Sequence, residues 1–157
     1  MNDASHHTAS TGTRSEHFRR LERMYLNAAA INDYFKPGIT IGDGEAEIRI
    51  EVDPKFFHAA GSVHGSVYFK AMDDAAFFAA NSVVEDVFVL TTSFNIHLLR
   101  PVTEGTLIAT GTLVSATRNL LIADAVLEDE RGRLLGRGTG TFMKSRMLLA
   151  DVPGYAG

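Results

Sequence analysis

Residues 58–84 read H-A-A-G-S-V-H-G-S-V-Y-F-K-A-M-D-D-A-A-F-F-A-A-N-S-V-V, and they predict the centre of the fold. Alanine and unbranched side chains dominate residues 67–80, which favours an α-helix. The charged residues of this run are Lys70, Asp73 and Asp74. A helix that is apolar on nearly every side must be buried on nearly every side, and this one is too short and too charged to cross a bilayer. The rest of the chain is therefore expected to wrap around it.

Two groups on this helix indicate chemistry. The helix starts near Gly65, where the first N–H groups lack a partner within the helix and carry positive partial charge, and a glycine lets a ligand oxygen approach them. Asp73 lies two turns later, and a buried carboxylate is costly unless it is paired, neutralised or used. Lys70 can pair with Asp73 at i+3 or with Asp74 at i+4. The apolar surroundings favour catalysis for Asp73 and a structural ion pair for Asp74.

The spacing of these two groups predicts a site shared between subunits. Gly65 and Asp73 are separated by a helical rise of about 12 Å, whereas a reacting carbonyl must lie roughly 3 Å from the N–H donor and close to the carboxylate. If both groups act on one substrate, two copies of the helix must run antiparallel across a dimer axis. Each site then takes Gly65 from one subunit and Asp73 from the other.

Composition limits the classes of function. The 157 residues are expected to form one domain, and 45% apolar with 22% charged residues is ordinary for a globular protein. The net charge of −4 gives no sign of the basic surface that nucleic-acid binding requires. The sequence has no cysteine, which excludes disulfides and thiolate metal sites. With no visible signal peptide or transmembrane segment, we expect a cytoplasmic protein with no membrane partner.

The remaining chain alternates between strand and turn signals. We predict a disordered tail over residues 1–13, a single domain over 14–143 that begins with a helix at 15–30, and a C-terminal tail without clear period over 144–157. Predicted strands, the last four of them in a meander, cover 39–41, 45–52, 87–99, 106–116, 119–128 and 134–143. A curled antiparallel sheet around one apolar helix makes the fold class α+β.

Three motifs resemble one known family. Gly61, His64 and Gly65, with an aspartate nine residues after the histidine, resemble the phenylacetate-pathway branch of the hotdog-fold acyl-CoA thioesterases. The segments F-N-I-H-L-L-R-P at 94–101 and G-R-G-T-G-T-F at 136–142 are similar to the same branch. This resemblance implies a hotdog fold, in which a curved antiparallel sheet wraps one long central helix. It also implies hydrolysis of an acyl-CoA to a carboxylic acid and coenzyme A.

The same resemblance implies catalytic roles for four residues. The N–H of Gly65 would polarise the thioester carbonyl, and Asp73 of the partner subunit would be the general base or the nucleophile. His64 would shape the loop and hydrogen-bond near the thioester, although it can equally be a packing residue. Thr91 falls where the family often places a hydroxyl that orients the water, although it can also be an ordinary strand threonine.

The resemblance further implies substrate contacts. His58 stands where the family often has asparagine or glutamine, so it is either a contact near the thioester, a base itself, or a structural histidine. Ser66 replaces the second glycine of the usual motif, which affects substrate fit. Arg100 and Arg118 are candidates to bind the phosphates of coenzyme A. These enzymes use no metal and no cofactor besides the coenzyme A of the substrate, and they form homodimers at least, with homotetramers as the alternative.

Two other functions stay open. A hotdog hydratase or dehydratase acting on enoyl thioesters would pair a histidine with a carboxylate, as His58 with Asp73, but the chain lacks the proline-rich pattern of that class. A non-catalytic acyl-CoA-binding module would lack the catalytic acid, whereas Asp73 is present. The acyl group itself is not identified by the sequence, although a pocket lined by Phe69, Met72, Phe77 or Phe78 would suit aryl or medium-chain groups.

Overall fold

The computed structural model describes the backbone of residues 7–156 and the side chains of residues 13–156. Its helices are α1 (His7–Ala28), α2 (Asn32–Phe35) and α3 (Gly65–Asn81). Its strands are β1 (Gly38–Gly42), β2 (Glu45–Glu51), β3 (Val87–Leu98), β4 (Thr106–Ala116), β5 (Leu120–Glu128) and β6 (Leu134–Leu148). Short 3-10 turns lie at Pro54–Phe56 and Leu149–Asp151. Within this described part, no helix is both long enough and apolar enough to cross a membrane.

Helix α3 packs against one face of a curved antiparallel sheet, whose strands follow the order β1-β2-β4-β5-β6-β3 in the described residues. Ala71, Ala75 and Ala76 on this helix are completely buried, as the apolar pattern predicts. The helix comes so close to β4 that a Cβ atom at Gly111 would lie 2.1 Å from the carbonyl oxygen of Ala75. A side chain at Gly111 would therefore push the helix off the sheet. The predicted α+β class is confirmed.

The inner face of the sheet supplies the other half of the core. In β2, Ala46, Ile48 and Ile50 are buried and alternate with charged residues that face outward, as the period of two predicts. Burying one such isoleucine stabilises the fold by about 1.5–3 kcal/mol. The neighbouring strands add buried residues in the same alternation, namely Leu107, Ala109, Leu121, Ala123, Ala125 and Leu127.

The predicted meander of four strands is wrong at one strand. Strands β4, β5 and β6 follow one another as predicted, but β3 pairs with β6, from Leu90 opposite Met143 to Leu98 opposite Gly136. After helix α3 the chain therefore forms β3 at the edge of the sheet, next to β6, and the following strand, β4, lies in the middle between β2 and β5. Strand signals locate a strand without naming its partner, and strands adjacent in sequence are neighbours only about two-thirds of the time.

Both ends of the predicted domain also differ from the structure. Helix α1 begins at His7, inside the segment predicted to be disordered, while residues 1–6 of that segment lie outside the described residues. Strand β6 continues to Leu148, five residues beyond its predicted end. Beyond it, Leu149 and Tyr155 are buried in the core. The segment after residue 143 therefore belongs to the folded domain. It shows no periodic pattern because single buried residues, and not a regular apolar face, hold it against the core.

Candidate active site

Asp73 lies on α3 beside the edge strand β3. Its Oδ1 accepts a hydrogen bond of 2.9 Å from the hydroxyl of Thr91. Burial raises the pKa of Asp73 to about 6, the Thr91 hydrogen bond opposes this rise, Asp74 adds to it, and Lys70 lowers it. A carboxylate that ionises near neutral pH is suited to general base or nucleophilic chemistry.

The neighbouring Asp74 is used differently, as the sequence predicts. It forms an ion pair with Lys70, and the hydroxyl of Tyr25 on α1 donates a hydrogen bond of 2.5 Å to the same carboxylate oxygen. Lys70 also donates to Asn32 Oδ1 at 2.9 Å, and the Asn32 amide in turn donates to the Tyr25 carbonyl. Burial and the Asp74 charge raise the pKa of Tyr25, so this hydroxyl stays protonated as a donor. The network fastens α1 to α3 and leaves Asp73 outside it.

A cleft of about 440 Å³ opens beside Asp73 and Thr91. Its size lies within the range of roughly 300–1,000 Å³ that is usual for small-molecule sites. Most of its lining is apolar and comes from α1 and the turn after it, from α3, from β3 and from the C-terminal segment. Five polar side chains line the cleft, namely Tyr25, Lys70, Asp73, Asp74 and Thr91. The apolar residues around it include Met24, Ala28, Ile31, Phe77, Phe78, Phe88, Leu90, Val152 and Pro153.

The start of α3 is organised by a histidine cap. His64 is the N-cap residue, and its Nδ1 accepts a hydrogen bond of 3.0 Å from the backbone N–H of Ser66. The Ser66 hydroxyl lies 2.8 Å from the same nitrogen, so the serine that replaces a glycine adds a second contact to this cap. Gly65 is the first helical residue and therefore has no intrahelical acceptor for its N–H.

A second cleft, of about 320 Å³, lies at this helix start and is lined by His58, Gly65, Leu98 and Arg100 among others. His58 Nδ1 accepts a hydrogen bond of 3.1 Å from the Ala60 N–H, so its neutral form carries the proton on Nε2, which lies 3.1 Å from the Ser62 hydroxyl. Both ring nitrogens are thus engaged within the loop, which does not favour His58 as a base.

The structure brings the predicted site residues together in two groups. One group lies at the start of α3 and consists of His58, His64, Gly65, Ser66 and Arg100. The Tyr68 hydroxyl donates a hydrogen bond of 2.6 Å to the carbonyl oxygen of Arg100 in this group. The other group is Asp73 with Thr91, on the first cleft.

Arg118 belongs to neither group. Arg118 is exposed in the turn between β4 and β5. This turn lies at one end of the sheet, where Leu120 of β5 and Leu90 of β3 both pair with Met143 of β6. That end of the sheet is the one nearest to Thr91, since Leu90 and Thr91 are consecutive on β3.

Sequence reasoning missed several residues of the first cleft. The periodicity of the first helix identifies Tyr25 only as part of an apolar face, and the connector that contains Asn32, the partner of Lys70, carries no signal of its own. Val152 and Pro153 stood in a segment without periodicity. The one usable signal was Lys70 itself, because a cation in a buried helix needs acceptors from elsewhere in the chain.

Comparisons with known proteins show which proteins this chain resembles. Residues 60–135 match the family model described as the thioesterase superfamily. The PaaI protein from the phenylacetic acid degradation operon of E. coli superposes with a TM-score of 0.78 at 20% identity, over 86% of this chain and 97% of that one. Thioesterase HI1161 of Haemophilus influenzae superposes with a TM-score of 0.71 at 21% identity, over 80% and 88% of the two chains. The protein SSO1253 of Saccharolobus solfataricus is 24% identical over 103 residues, which are 66% of this chain and 69% of that protein.

The six-stranded curved sheet packed on α3 therefore has the hotdog fold. The match over residues 60–135 agrees with the predicted resemblance to the thioesterase superfamily, and PaaI proteins are among the structures that share this fold.

Proposed function

We propose that this protein is an acyl-CoA thioesterase, which hydrolyses a thioester to a carboxylic acid and coenzyme A. The observation that carries the proposal is the Asp73 carboxylate, which has a pKa of about 6 and lies on a largely apolar cleft. Such a group is ionised at neutral pH and remains a competent base. The match to the thioesterase superfamily supports this reaction class.

The proposed site is shared between two subunits. In one chain Gly65 and Asp73 line different clefts, about 12 Å apart along α3. Phe69 lies midway, four residues from each, and 41% of its surface is exposed. A twofold axis at Phe69, with two copies of α3 running antiparallel, would bring Gly65 of one subunit to Asp73 of the other.

The edge strand supports the same axis. Strand β3 runs antiparallel beside α3: Thr91 contacts Asp73, the Phe94 ring lies 5.6 Å from the Phe69 ring, and Leu98 lies against Gly65. In the described chain β3 is the last strand of the sheet, so its outer edge is free to pair. Two β3 strands that pair antiparallel about the Phe94 region would have the same twofold axis as two α3 helices centred on Phe69.

The proposed reaction uses one group from each subunit. The thioester carbonyl oxygen accepts a hydrogen bond from the Gly65 N–H, which stabilises the developing oxyanion. Asp73 of the other subunit either takes a proton from the attacking water or attacks the carbonyl carbon itself, in which case water hydrolyses the resulting anhydride. The carbon–sulfur bond breaks, coenzyme A leaves as a thiol after taking a proton, and the acyl group leaves as the carboxylic acid.

The remaining predicted residues have supporting roles in this proposal. His64 and Ser66 hold the helix start so that the Gly65 N–H points outward, and His58 shapes the adjacent loop. Arg100 lies in the Gly65 cleft, and the proposed axis would bring it towards the sheet end of the partner that carries Arg118. Both arginines are exposed, as binding of the coenzyme A phosphates requires.

The experiment that tests the proposal is thiol release from a panel of acyl-CoA esters, with wild type compared with Asp73→Asn. We expect turnover by the wild type and a loss of about 10²–10⁴-fold in the variant. Equal activity of the two proteins would remove Asp73 from the mechanism. Binding of esters without thiol release by the wild type would indicate a binding module or a hydratase instead.

A further inference from the structure

The cleft beside Asp73 has a wall that lies outside the segment matching the thioesterase superfamily. That segment covers residues 60–135. One side of the cleft is made by α3 and β3, with Phe77 and Phe88, which lie inside the match. The opposite side is made by Met24 and Ala28 of α1 and by Val152 and Pro153 of the C-terminal segment. The shape of the cleft therefore depends on parts of the chain that the family model does not cover.

The C-terminal segment is firmly anchored where it forms this wall. Leu149 and Tyr155 are 1% and 6% exposed, and they flank Val152 on either side. The Tyr155 hydroxyl lies 2.7 Å from His17 Nδ1, and His17 Nε2 lies 3.0 Å from the carbonyl oxygen of Asn81 at the end of α3. Because that carbonyl can only accept, Nε2 carries the proton and Nδ1 accepts from the tyrosine.

A second set of contacts holds the segment against α1. Gly154 has a φ of +83°, and a Cβ there would lie 3.1 Å from the Met24 Cα atom. The Arg23 guanidinium donates to the carbonyl oxygens of Gly154 and Tyr155 at 3.4 and 3.3 Å. Glycine is the residue that allows both this backbone conformation and this close approach. The wall is thus a fixed part of the cleft.

We propose that Val152 and Pro153, held in place by the anchored segment around them, form the outer wall of an acyl-binding cleft, and that Val152 limits the length of an uncharged, apolar acyl group whose carbonyl reacts at Asp73. The inference rests on the proposed function and deepens it, since it names the substrate class and a specificity-determining residue. The lining favours an uncharged acyl group. The one cationic side chain among the lining residues, Lys70, is already paired with Asp74 and so is not available to bind a negatively charged acyl group. Most of the remaining surface is apolar.

The test measures kcat/KM for acetyl-, hexanoyl- and decanoyl-CoA in three variants. Val152→Trp should fill the cleft and lower the ratio of decanoyl to acetyl kcat/KM by about tenfold or more, because a pocket that cannot hold extra methylenes discriminates on that scale. Val152→Ala should shift the ratio in the opposite direction. The control Ala150→Trp places the same side chain at an exposed position of the segment that does not line the cleft, and should leave the ratio unchanged.

A parallel measurement separates this inference from the thioesterase proposal. Binding of non-hydrolysable acyl-CoA thioethers of the same three lengths is measured by calorimetry. If the wild type hydrolyses the esters but Val152→Trp keeps the wild-type ratio, or lowers all three values equally, the wall has no role in specificity. If no ester is hydrolysed yet Val152→Trp selectively weakens the decanoyl thioether, the acyl cleft stands and the hydrolase assignment fails. An unchanged length dependence of binding in both Val152 variants overturns the inference in either case.

Discussion

Thr91 on the edge strand β3 donates a hydrogen bond of 2.9 Å to Asp73 on the central helix α3. Two opposing effects meet at this carboxyl group. Burial favours its protonated form and raises its pKa to about 6, whereas the hydrogen bond favours the ionised form. The Thr91 hydroxyl therefore helps to keep Asp73 ionised at neutral pH.

Removing this hydroxyl should move the pH dependence of activity. In the proposed mechanism Asp73 must be ionised, so kcat/KM of the wild type should rise with pH through about 6. Thr91→Val removes a contact that lowers the pKa of Asp73, and the acidic limb should therefore move to higher pH. The pH profile of thiol release checks this. Thr92→Val is the matched control, since Thr92 bonds to Thr141 instead. An acidic limb that stays in place in Thr91→Val would contradict the assignment.

The raised pKa of Asp73 also predicts a stability effect of definite sign. Its pKa is 3.8 in the unfolded chain and about 6 in the folded one, so the folded state binds this proton more tightly. Stability is therefore lost as the pH rises from about 4 to 6 and stays lower above that range. Asp73→Asn should stabilise the protein at pH 7.5 by on the order of 2 kcal/mol, which is a rise of several degrees in Tm, and the difference should vanish near pH 4.

Thermal unfolding of both proteins at the two pH values provides the measurement. Asp129→Asn is a control of opposite sign, because backbone and side-chain hydrogen bonds from Arg133 hold the pKa of Asp129 below its ordinary value. An Asp73→Asn protein that is less stable than the wild type at pH 7.5 would show that the carboxylate is stabilised by its surroundings, against this account.

The role of the Gly65 N–H can be tested by replacing Gly65 with proline, which lacks the N–H. Gly65 is the first residue of α3 and His64 has φ −64° and ψ 143°, a conformation that suits the residue before proline. Proline is well tolerated at this helical position. Gly65→Pro should therefore fold and lower kcat by about 10²–10³-fold, the usual cost of one oxyanion donor.

Gly65→Ala is the matched control for Gly65→Pro. Both variants introduce a Cβ that would lie 2.8 Å from the Leu98 Cδ1 atom, the movable end of a half-exposed side chain, but alanine keeps the N–H. Equal losses in the two variants would mean that crowding, and not the donor, accounts for the effect.

Much of this architecture could be predicted from local patterns. The apolar run of residues 67–80 predicts a buried helix because few other environments accept it, and the strict alternation after Glu45 predicts a half-buried strand. The ion pair of Asp74 with Lys70 is also confirmed, as the sequence predicts from the spacing of i+4 and the apolar surroundings of Asp73.

The rest depends on contacts between distant parts of the chain. The pairing of β3 with β6 joins strands that are distant in sequence, and the strand pattern of β3 does not identify its partner. Tyr155 meets His17 across 138 positions, and Tyr25 meets Asp74 across 49. The segment around Val152 shows no period because it is held by single anchors, so its place on the cleft could not be predicted.

The measurement that tests the central claim most directly is subunit complementation between Gly65→Pro and Asp73→Asn. Each variant alone should be nearly inactive, and the two are mixed in equal amounts after dissociation and reassembly. If Gly65 of one subunit serves Asp73 of the other, a mixed dimer has one intact site and one doubly altered site. Random pairing should then restore about a quarter of the wild-type thiol release, since half of the dimers are mixed. Activity of the mixture that stays at the level of the separate variants would contradict a shared site.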